Sequence, residues 1–279
     1  TVTKTIEEAG KMTPELKKRI DNCINATELE DIYLPYKPKR KTKASIAIEK
    51  GLEPLAIILF AQQDVNANEE AAKYITDQVK DNAEALQGAR DIMAEWIAEN
   101  ETARNTVRKI FTESAIFSSR VLTTKKDEED AQKYRDYFAY KEPLANCPSH
   151  RIMAIRRGEK EGFLIMDINI EKESSIDELK RKFITVHNEA SQQVGLAIED
   201  SFSRLLKPSI ETEFRMLSKT KADEEAIKVF AENLRQLLLA SPLGQKRIMA
   251  IDPGFRSGCK VVCLDEQGTF LKYNTIFPH

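Results

Sequence analysis

The sequence predicts a mainly α-helical protein with a β meander at its C-terminal end. Up to about residue 240, apolar side chains recur at helical spacing, and Gly and Pro stand at joints between these segments. From Ser241 the pattern changes to three apolar runs separated by Gly-containing turns. We therefore predict a helical scaffold domain over 1–240 and the beginning of a second, β-containing domain over 241–279.

Several helices follow from apolar periodicity and end signals. The first covers about 13–24, because a capping residue, Thr13, stands before Pro14, whose fixed φ suits a first helical turn. Two later stripes must each pack against a partner, one in AIEDSFSRLL (197–206) and one in EAIKVFAENLRQLLL (225–239). The other predicted helices cover 44–62, 68–79, 82–99 and 101–116, and one more starts at Ser149.

Two short strands interrupt the scaffold. SRVLTT (119–124) is a short apolar run, and GFLIMDINI (162–170) shows the alternation of side chains that is typical of strands. We expect these two strands to pair with each other. The three apolar runs after Ser241 predict a meander, and a sheet this small is only marginally stable alone.

Charge and cysteine content limit the function classes. Lys and Arg number 43 and Asp and Glu number 45, so no global field attracts nucleic acid or a membrane surface, and any such attraction is local. Four dispersed cysteines favour a reducing compartment, which predicts a cytoplasmic protein. The first residues are not a signal peptide, and no apolar run is long enough to span a membrane. We expect both ends to belong to a longer polypeptide, because the chain has no initiator Met and stops directly after a predicted strand.

The basic run between residues 37 and 43 is the first candidate for nucleic-acid binding. Lys37, Lys39, Arg40, Lys41 and Lys43 fall within seven positions. These cations can hold phosphates, with salt-dependent affinity, and the nearby tyrosines at 33 and 36 offer stacking faces. The alternative is a solvated loop, since Pro38 blocks helix formation and the tyrosines then pack inward.

Four segments carry a family resemblance. ELEDIYLPYKPKRKTKASIAIEKGLEPLA (28–56) resembles the signature of the Tex family of bacterial transcription accessory proteins. GARDIMAEWIAEN (88–100), residues 134–164 and residues 248–279 resemble further family segments in the expected order. The resemblance implies a helical scaffold followed by a YqgF-type domain with an RNase H-like fold. In the full-length family, helix-hairpin-helix elements and an OB-fold RNA-binding domain come next.

The resemblance also implies a candidate site in AIDPGFRSG (250–258). In RNase H-like nucleases an aspartate on the first strand holds a divalent metal, and Asp252 corresponds to it. Two-metal chemistry needs further carboxylates on later elements, so we expect no catalysis by this chain. Arg256 next to a Gly-containing turn is a further candidate for phosphate contact. Cys147 and His150 have ligand-like spacing but no second pair, so we predict no metal and no cofactor.

These observations favour a nucleic-acid-binding transcription accessory factor that acts by non-covalent phosphate contacts, mainly through modules outside this chain. One alternative is a metal-dependent nuclease or resolvase that uses Asp252. Another is a scaffold that touches RNA polymerase or ribosome components. Arg151, Arg156, Arg157 and Lys160 form a second basic cluster, which is either salt-bridged scaffold or a diluted phosphate patch. The choice between RNA and DNA stays open.

Overall fold

The predicted fold class is confirmed by a computed structural model, which describes residues 2–8, 10–37, 41–241, 244–254 and 258–277. In this described part the chain is 63% helical, with 12 α-helices and two small three-stranded antiparallel sheets. No helix in these ranges is long and apolar enough to cross a membrane.

The elements follow one another in this order. The N-terminal helices are α1 (Val2–Glu8), α2 (Pro14–Asp21), α3 (Ala26–Tyr33), α4 (Lys43–Glu49), α5 (Glu53–Phe60), α6 (Ala67–Ala72), α7 (Asn82–Glu99) and α8 (Glu101–Ser114). Then come β1 (Ile116–Val121), β2 (Ala139–Pro143), α9 (Ser149–Lys160), β3 (Leu164–Asn169), α10 (Lys172–Phe183), α11 (Glu189–Ser201) and α12 (Lys207–Leu238). The C-terminal strands are β4 (Ile248–Asp252), β5 (Cys259–Leu264) and β6 (Phe270–Ile276), and four 3-10 helices lie at Leu34–Tyr36, Thr123–Lys125, Glu129–Tyr137 and Leu144–Asn146.

The predicted helix over 44–62 is in fact two helices. Gly51 takes a left-handed backbone conformation with a φ of 80°, which ends α4. The Leu52 N–H then donates to the Ala47 carbonyl at 3.1 Å, as in a Schellman motif. The predicted helix over 68–79 is also too long, because α6 ends at Ala72 and a tight turn between Thr76 and Val79 follows.

The core of the scaffold lies around α7, which packs against α4, α5, α6 and α11. Ile92, Met93 and Ile97 of this helix are fully buried. Gly88 allows α4 and α5 to approach closely, since a Cβ there would lie 2.3 Å from Leu52 Cδ1. The helix predicted over 82–99 is confirmed.

The scaffold sheet has the strand order β2-β1-β3. The expected pairing is confirmed, with Ser119 opposite Met166 in antiparallel register, but the first strand is Ile116–Val121 and not 119–124. The edge strand β2 was not predicted, because its sequence AYKEP is polar and it buries no side chain fully. The buried side chains of β1 and β3 belong to the same core as those of α7.

A continuous helical segment runs from α11 into α12 through a π-helical turn at Phe202–Leu206. Pro208 explains this turn, because proline has no N–H and its ring would clash with the carbonyl four residues earlier. The first predicted apolar stripe is buried, with Ile198, Phe202 and Leu206 in the core. The second stripe was expected to be buried and is exposed in this chain, including Phe230 at 66%. Periodicity identifies the apolar face of a helix but not what covers it.

Contacts divide the chain into two units, residues 1–225 and residues 226–279. In the second unit, β4, β5 and β6 pair in sequential antiparallel order, as the three apolar runs predicted. Asp265 caps the turn before β6, where its Oδ1 accepts hydrogen bonds from the Gln267 and Thr269 N–H groups. The predicted domain boundary at 240/241 stays a prediction.

Candidate nucleic-acid interface

The described residues of the basic run, Lys37, Lys41 and Lys43, lie between the end of α3 and the first turn of α4. A 3-10 turn at Leu34–Tyr36 follows α3, and Thr42 is the N-cap of α4. Thr42 Oγ1 accepts a hydrogen bond from the Ser45 N–H at 3.0 Å, and Ser45 Oγ accepts one from the Thr42 N–H at 2.8 Å. This capping box fixes where α4 begins, and therefore where Lys43 projects from its first turn.

The three predicted cations within the described residues are all exposed. Lys37 Nζ donates to Glu30 Oε1 at 2.8 Å, and this hydrogen bond raises the pKa of Lys37. Lys41 Nζ lies 3.6 Å from Glu49 Oε2. Such exposed ion pairs are weak, so a phosphate can replace either carboxylate as the partner of the lysine.

Lys43 completes the described part of the basic run. It is exposed, and no carboxylate of the described ranges forms an ion pair with it. Lys39 and Arg40 lie outside the described residues. Tyr33 and Tyr36 are half-buried. Their burial is therefore intermediate between that of an exposed stacking face and that of a core side chain. Lys37 Nζ is 6.0 Å from the centroid of the Tyr33 ring.

A buried ionic network anchors α3 just before the basic run. Asp31 Oδ1 accepts hydrogen bonds from Arg104 Nε at 2.6 Å and from Arg108 Nη2 at 2.8 Å. Arg108 Nε also donates to Glu213 Oε1 at 2.9 Å, which adds α12 to the network. Burial by itself would raise the pKa of Asp31, but the hydrogen bonds from Arg108 and Arg104 outweigh burial and lower it. The network fixes the end of α3 against α8 and α12.

This network was not predicted, although the sequence contains one indication of it. Arg104 and Arg108 are four residues apart, so they share a face of α8. Two guanidinium groups on one face need carboxylates when that face is covered. Nothing in the sequence indicated that Asp31, more than 70 positions away, supplies one.

The candidate site around Asp252 has a simple geometry. Asp252 is the last residue of β4 and lies opposite Lys260 of β5. Within the ranges that the structure covers, no group of three or more His, Cys, Asp or Glu side chains is arranged to hold a metal ion. Arg256 lies outside these ranges. Cys147 is buried beside the Tyr140 hydroxyl, with 3.7 Å between Sγ and the hydroxyl oxygen, and burial raises the pKa of this thiol.

Two protein-family descriptions match this chain. The family description "Tex central region-like" matches residues 62–230, and "Tex protein YqgF-like domain" matches residues 246–279. The chain belongs to the Tex family. The resemblance seen in the signature segments is thereby confirmed, together with the assignment of the C-terminal strands to the start of a YqgF-like domain.

Three relatives illustrate the range of this family. All of this chain aligns with "Uncharacterized protein YdcI" of Bacillus subtilis at 40% identity and with "Transcriptional accessory protein Tex" of Neisseria gonorrhoeae at 36%. Human "S1 RNA-binding domain-containing protein 1" is 31% identical over 98% of this chain. The chain spans only 39%, 37% and 29%, respectively, of the lengths of these relatives. Two of these relatives, from Neisseria gonorrhoeae and human, carry names that indicate a nucleic-acid-related role.

Proposed function

We propose that this chain is the helical framework of a cytoplasmic transcription accessory factor that binds nucleic acid without breaking covalent bonds. The supporting observation is that the described cations of the basic run, Lys37, Lys41 and Lys43, are exposed and lie next to two anchored helices. Asp31 anchors the helix before it, and the Thr42–Ser45 capping box fixes the start of the helix after it. This anchoring restricts the backbone at Lys37 and Lys43 before a ligand arrives, which reduces the entropic cost of binding.

The proposed contacts are to phosphates and not to base edges. Lysine side chains are flexible point charges, and phosphate contacts of this kind position a protein on nucleic acid without reading sequence. The overall charge of −2 gives no long-range attraction, so the local run must supply it. A regulatory role in transcription then depends on the remaining parts of the polypeptide and on partners such as RNA polymerase or ribosome components.

The test measures binding of single-stranded and duplex RNA and DNA by fluorescence anisotropy at several salt concentrations. Lys39, Arg40 and Lys41 are changed together to Gln. Each lost phosphate contact reduces the slope of log affinity against log salt by about 0.7 for single strands and about 0.9 for duplex DNA. We therefore expect the slope to fall by about 2 to 3 for the triple variant.

The matched control changes three exposed lysines elsewhere, Lys18, Lys80 and Lys172, to Gln. It removes the same charge, so an effect of net charge alone would appear in both variants. An unchanged slope in the 39–41 variant would contradict the proposal for this loop. Loss of a protein partner with intact nucleic-acid affinity would instead favour the scaffold alternative.

The nuclease alternative has a separate test. The chain is incubated with labelled single-stranded, duplex and branched substrates in excess Mg²⁺, alongside the Asp252→Asn variant. We expect no cleavage by either protein, because two-metal chemistry needs carboxylates from several elements. Magnesium-dependent cleavage that disappears in Asp252→Asn would overturn the non-enzymatic proposal.

A further inference from the structure

A groove of about 700 Å³ lies between α9 and the middle of α12, within the first unit. Arg156, Arg157 and Lys160 line it on the α9 side, and Lys219, Ala222 and Asp223 line it on the α12 side. It is well separated in the sequence from the basic run at 37–43. Its position was not predicted, because it depends on how α12 packs across α9.

The geometry of α9 explains why the cations face this groove. Met153, Arg156, Arg157 and Lys160 follow the i, i+3, i+4, i+7 spacing of one helical face, and all four line the groove. Another face of α9 packs on β3, where Gly158 allows close approach. A Cβ at Gly158 would lie only 2.7 Å from Leu164 Cδ1. The rotation of α9, and hence the direction of its basic face, is fixed by this contact.

Acidic residues also line the groove, but each already has a cationic partner. Glu159 Oε1 lies 2.5 Å from Arg215 Nη2, and Glu161 Oε2 lies 2.7 Å from Lys133 Nζ. Neither of these partner cations lines the groove. Each glutamate is therefore paired with a cation from outside the groove, although Glu161 also interacts electrostatically with Arg157 on the groove wall.

The remaining charges leave a positive surplus. Asp223 pairs with Lys219 within α12. Arg156 Nη1 donates to the backbone carbonyl of Arg215 at 3.0 Å, and a carbonyl does not neutralise its charge. Arg157 and Lys160 are exposed, and in the described part of the chain no carboxylate pairs with them. No ion pair in the described residues neutralises Arg156, Arg157 or Lys160, although the charge of Arg157 also acts on Glu161, so the α9 side keeps a positive surplus.

We propose that this groove binds consecutive phosphates of a nucleic-acid backbone, as a second contact in addition to the basic run. This proposal rests on the proposed nucleic-acid function and extends it to a specific site. The positive surplus matches a polyanion, and the planar guanidinium of Arg157 suits phosphate oxygens. The residues that line the groove in the described structure include no aromatic side chain, so the contact is to the backbone and not to stacked bases.

The spacing of the cations matches a short run of phosphates. Residues 157 and 160 are separated by about 4.5 Å along the helix axis. One strand of a duplex carries one phosphate per ~3.4 Å of its axis. The α9 face therefore spans about two phosphates, and Arg157 and Lys160 are the two exposed groups that contact them.

The test changes Arg157 and Lys160 together to Gln in the full 279-residue chain. Arg156 is kept because it supports the packing of α12. Loss of two phosphate contacts reduces the salt slope by about 1.4 for single strands or about 1.8 for duplex DNA. If affinity extrapolated to 1 M salt is unchanged, this corresponds to binding that is about 25-fold to 60-fold weaker at 0.1 M. Lys18→Gln with Lys172→Gln is the control of equal charge, and we expect it to keep the original slope.

The outcomes separate this proposal from the function on which it rests. If the groove variant keeps the original salt slope while the 39–41 variant loses part of it, the groove proposal is wrong and the proposed function stands. If the unsubstituted chain binds none of the four nucleic acids, both are wrong. If the groove variant loses binding to a poly-glutamate peptide and keeps nucleic-acid affinity, the groove binds acidic protein segments and the proposal is overturned. Circular dichroism and urea unfolding of each variant check that the fold is retained.

Discussion

At the scale of single residues, Asp31 connects stability to the candidate interface. It is buried, with 4% of its side chain exposed, and it binds two arginines of α8. The basic run begins only six positions later at Lys37. Burial of this carboxylate alone would be costly, but two cations stabilise it here. The carboxylate also anchors α3, the helix that leads to the proposed phosphate contacts.

We expect Asp31→Asn to destabilise the protein by about 3–5 kcal/mol at pH 7, because among the described residues it leaves Arg104 without a carboxylate partner and leaves Arg108 only its pair with Glu213. The free energy of unfolding in urea measures this change. Lys4→Gln is the control, since the Lys4–Glu8 pair spans 3.8 Å and is exposed, and we expect no measurable effect from its loss. Equal stability of the two variants would show that the network contributes nothing to folding.

The same substitution predicts a pH dependence. The pKa of Asp31 is lowered in the folded protein, so its stabilising contribution is complete above the unfolded value of about 3.9. The contribution is lost as the pH falls through the lowered pKa of the folded state. The stability difference between the unsubstituted protein and Asp31→Asn should therefore be constant from pH 7 to pH 5 and shrink below pH 4. Urea titrations at these pH values provide the check.

At the scale of elements, close packing of α9 on β3 depends on Gly158. This glycine is buried in the helix, and a Cβ would also lie 2.9 Å from Leu164 Cγ. Leu164 is itself 2% exposed, so it has little room to move. The contact sets the orientation of α9 and thereby that of the proposed groove.

We expect Gly158→Ala to destabilise the protein by about 1–3 kcal/mol, because overpacking exceeds the gain in helix propensity. Gly195→Ala in α11 is the matched control. Its Cβ would meet nothing closer than 3.7 Å, so the propensity gain of up to about 1 kcal/mol should dominate. The two urea midpoints should therefore move in opposite directions. A shift of both in the same direction would contradict the packing argument.

The elements also show what the sequence could predict. Helix α7, the β1–β3 pair and the C-terminal meander carry strong periodic patterns over their own lengths, and these predictions agree with the structure. The division at Gly51 was missed because apolar periodicity continues on both sides of it. The Asp31 network and the α9–α12 groove could not be predicted, since both arise from contacts between distant segments. The cations at 37–43 were evident, and their contacts with nucleic acid stay a prediction.

At the scale of the whole molecule, positive charge is divided between separate local surfaces. The formal net charge of −2 conceals two separate positive surfaces, the basic run and the groove. Each phosphate contact releases its own counterions, so the contributions of separate contacts to the salt slope add. Simultaneous contact with both surfaces therefore adds their salt slopes, and a nucleic acid too short to reach both should show the smaller slope of one.

The location of the core predicts that residues 1–225 fold alone. Among the described residues, every buried apolar side chain of the core lies at or before Ala222, while the apolar side chains of α12 beyond residue 226 are exposed. Removal of residues 226–279 therefore leaves the buried apolar surface, which dominates the free energy of folding, nearly unchanged. We expect the 1–225 fragment to unfold in urea with the same midpoint as the full chain. It should also retain the part of the salt slope that depends on Arg157 and Lys160. A fragment with no cooperative transition would show that the C-terminal unit supplies stability to the scaffold.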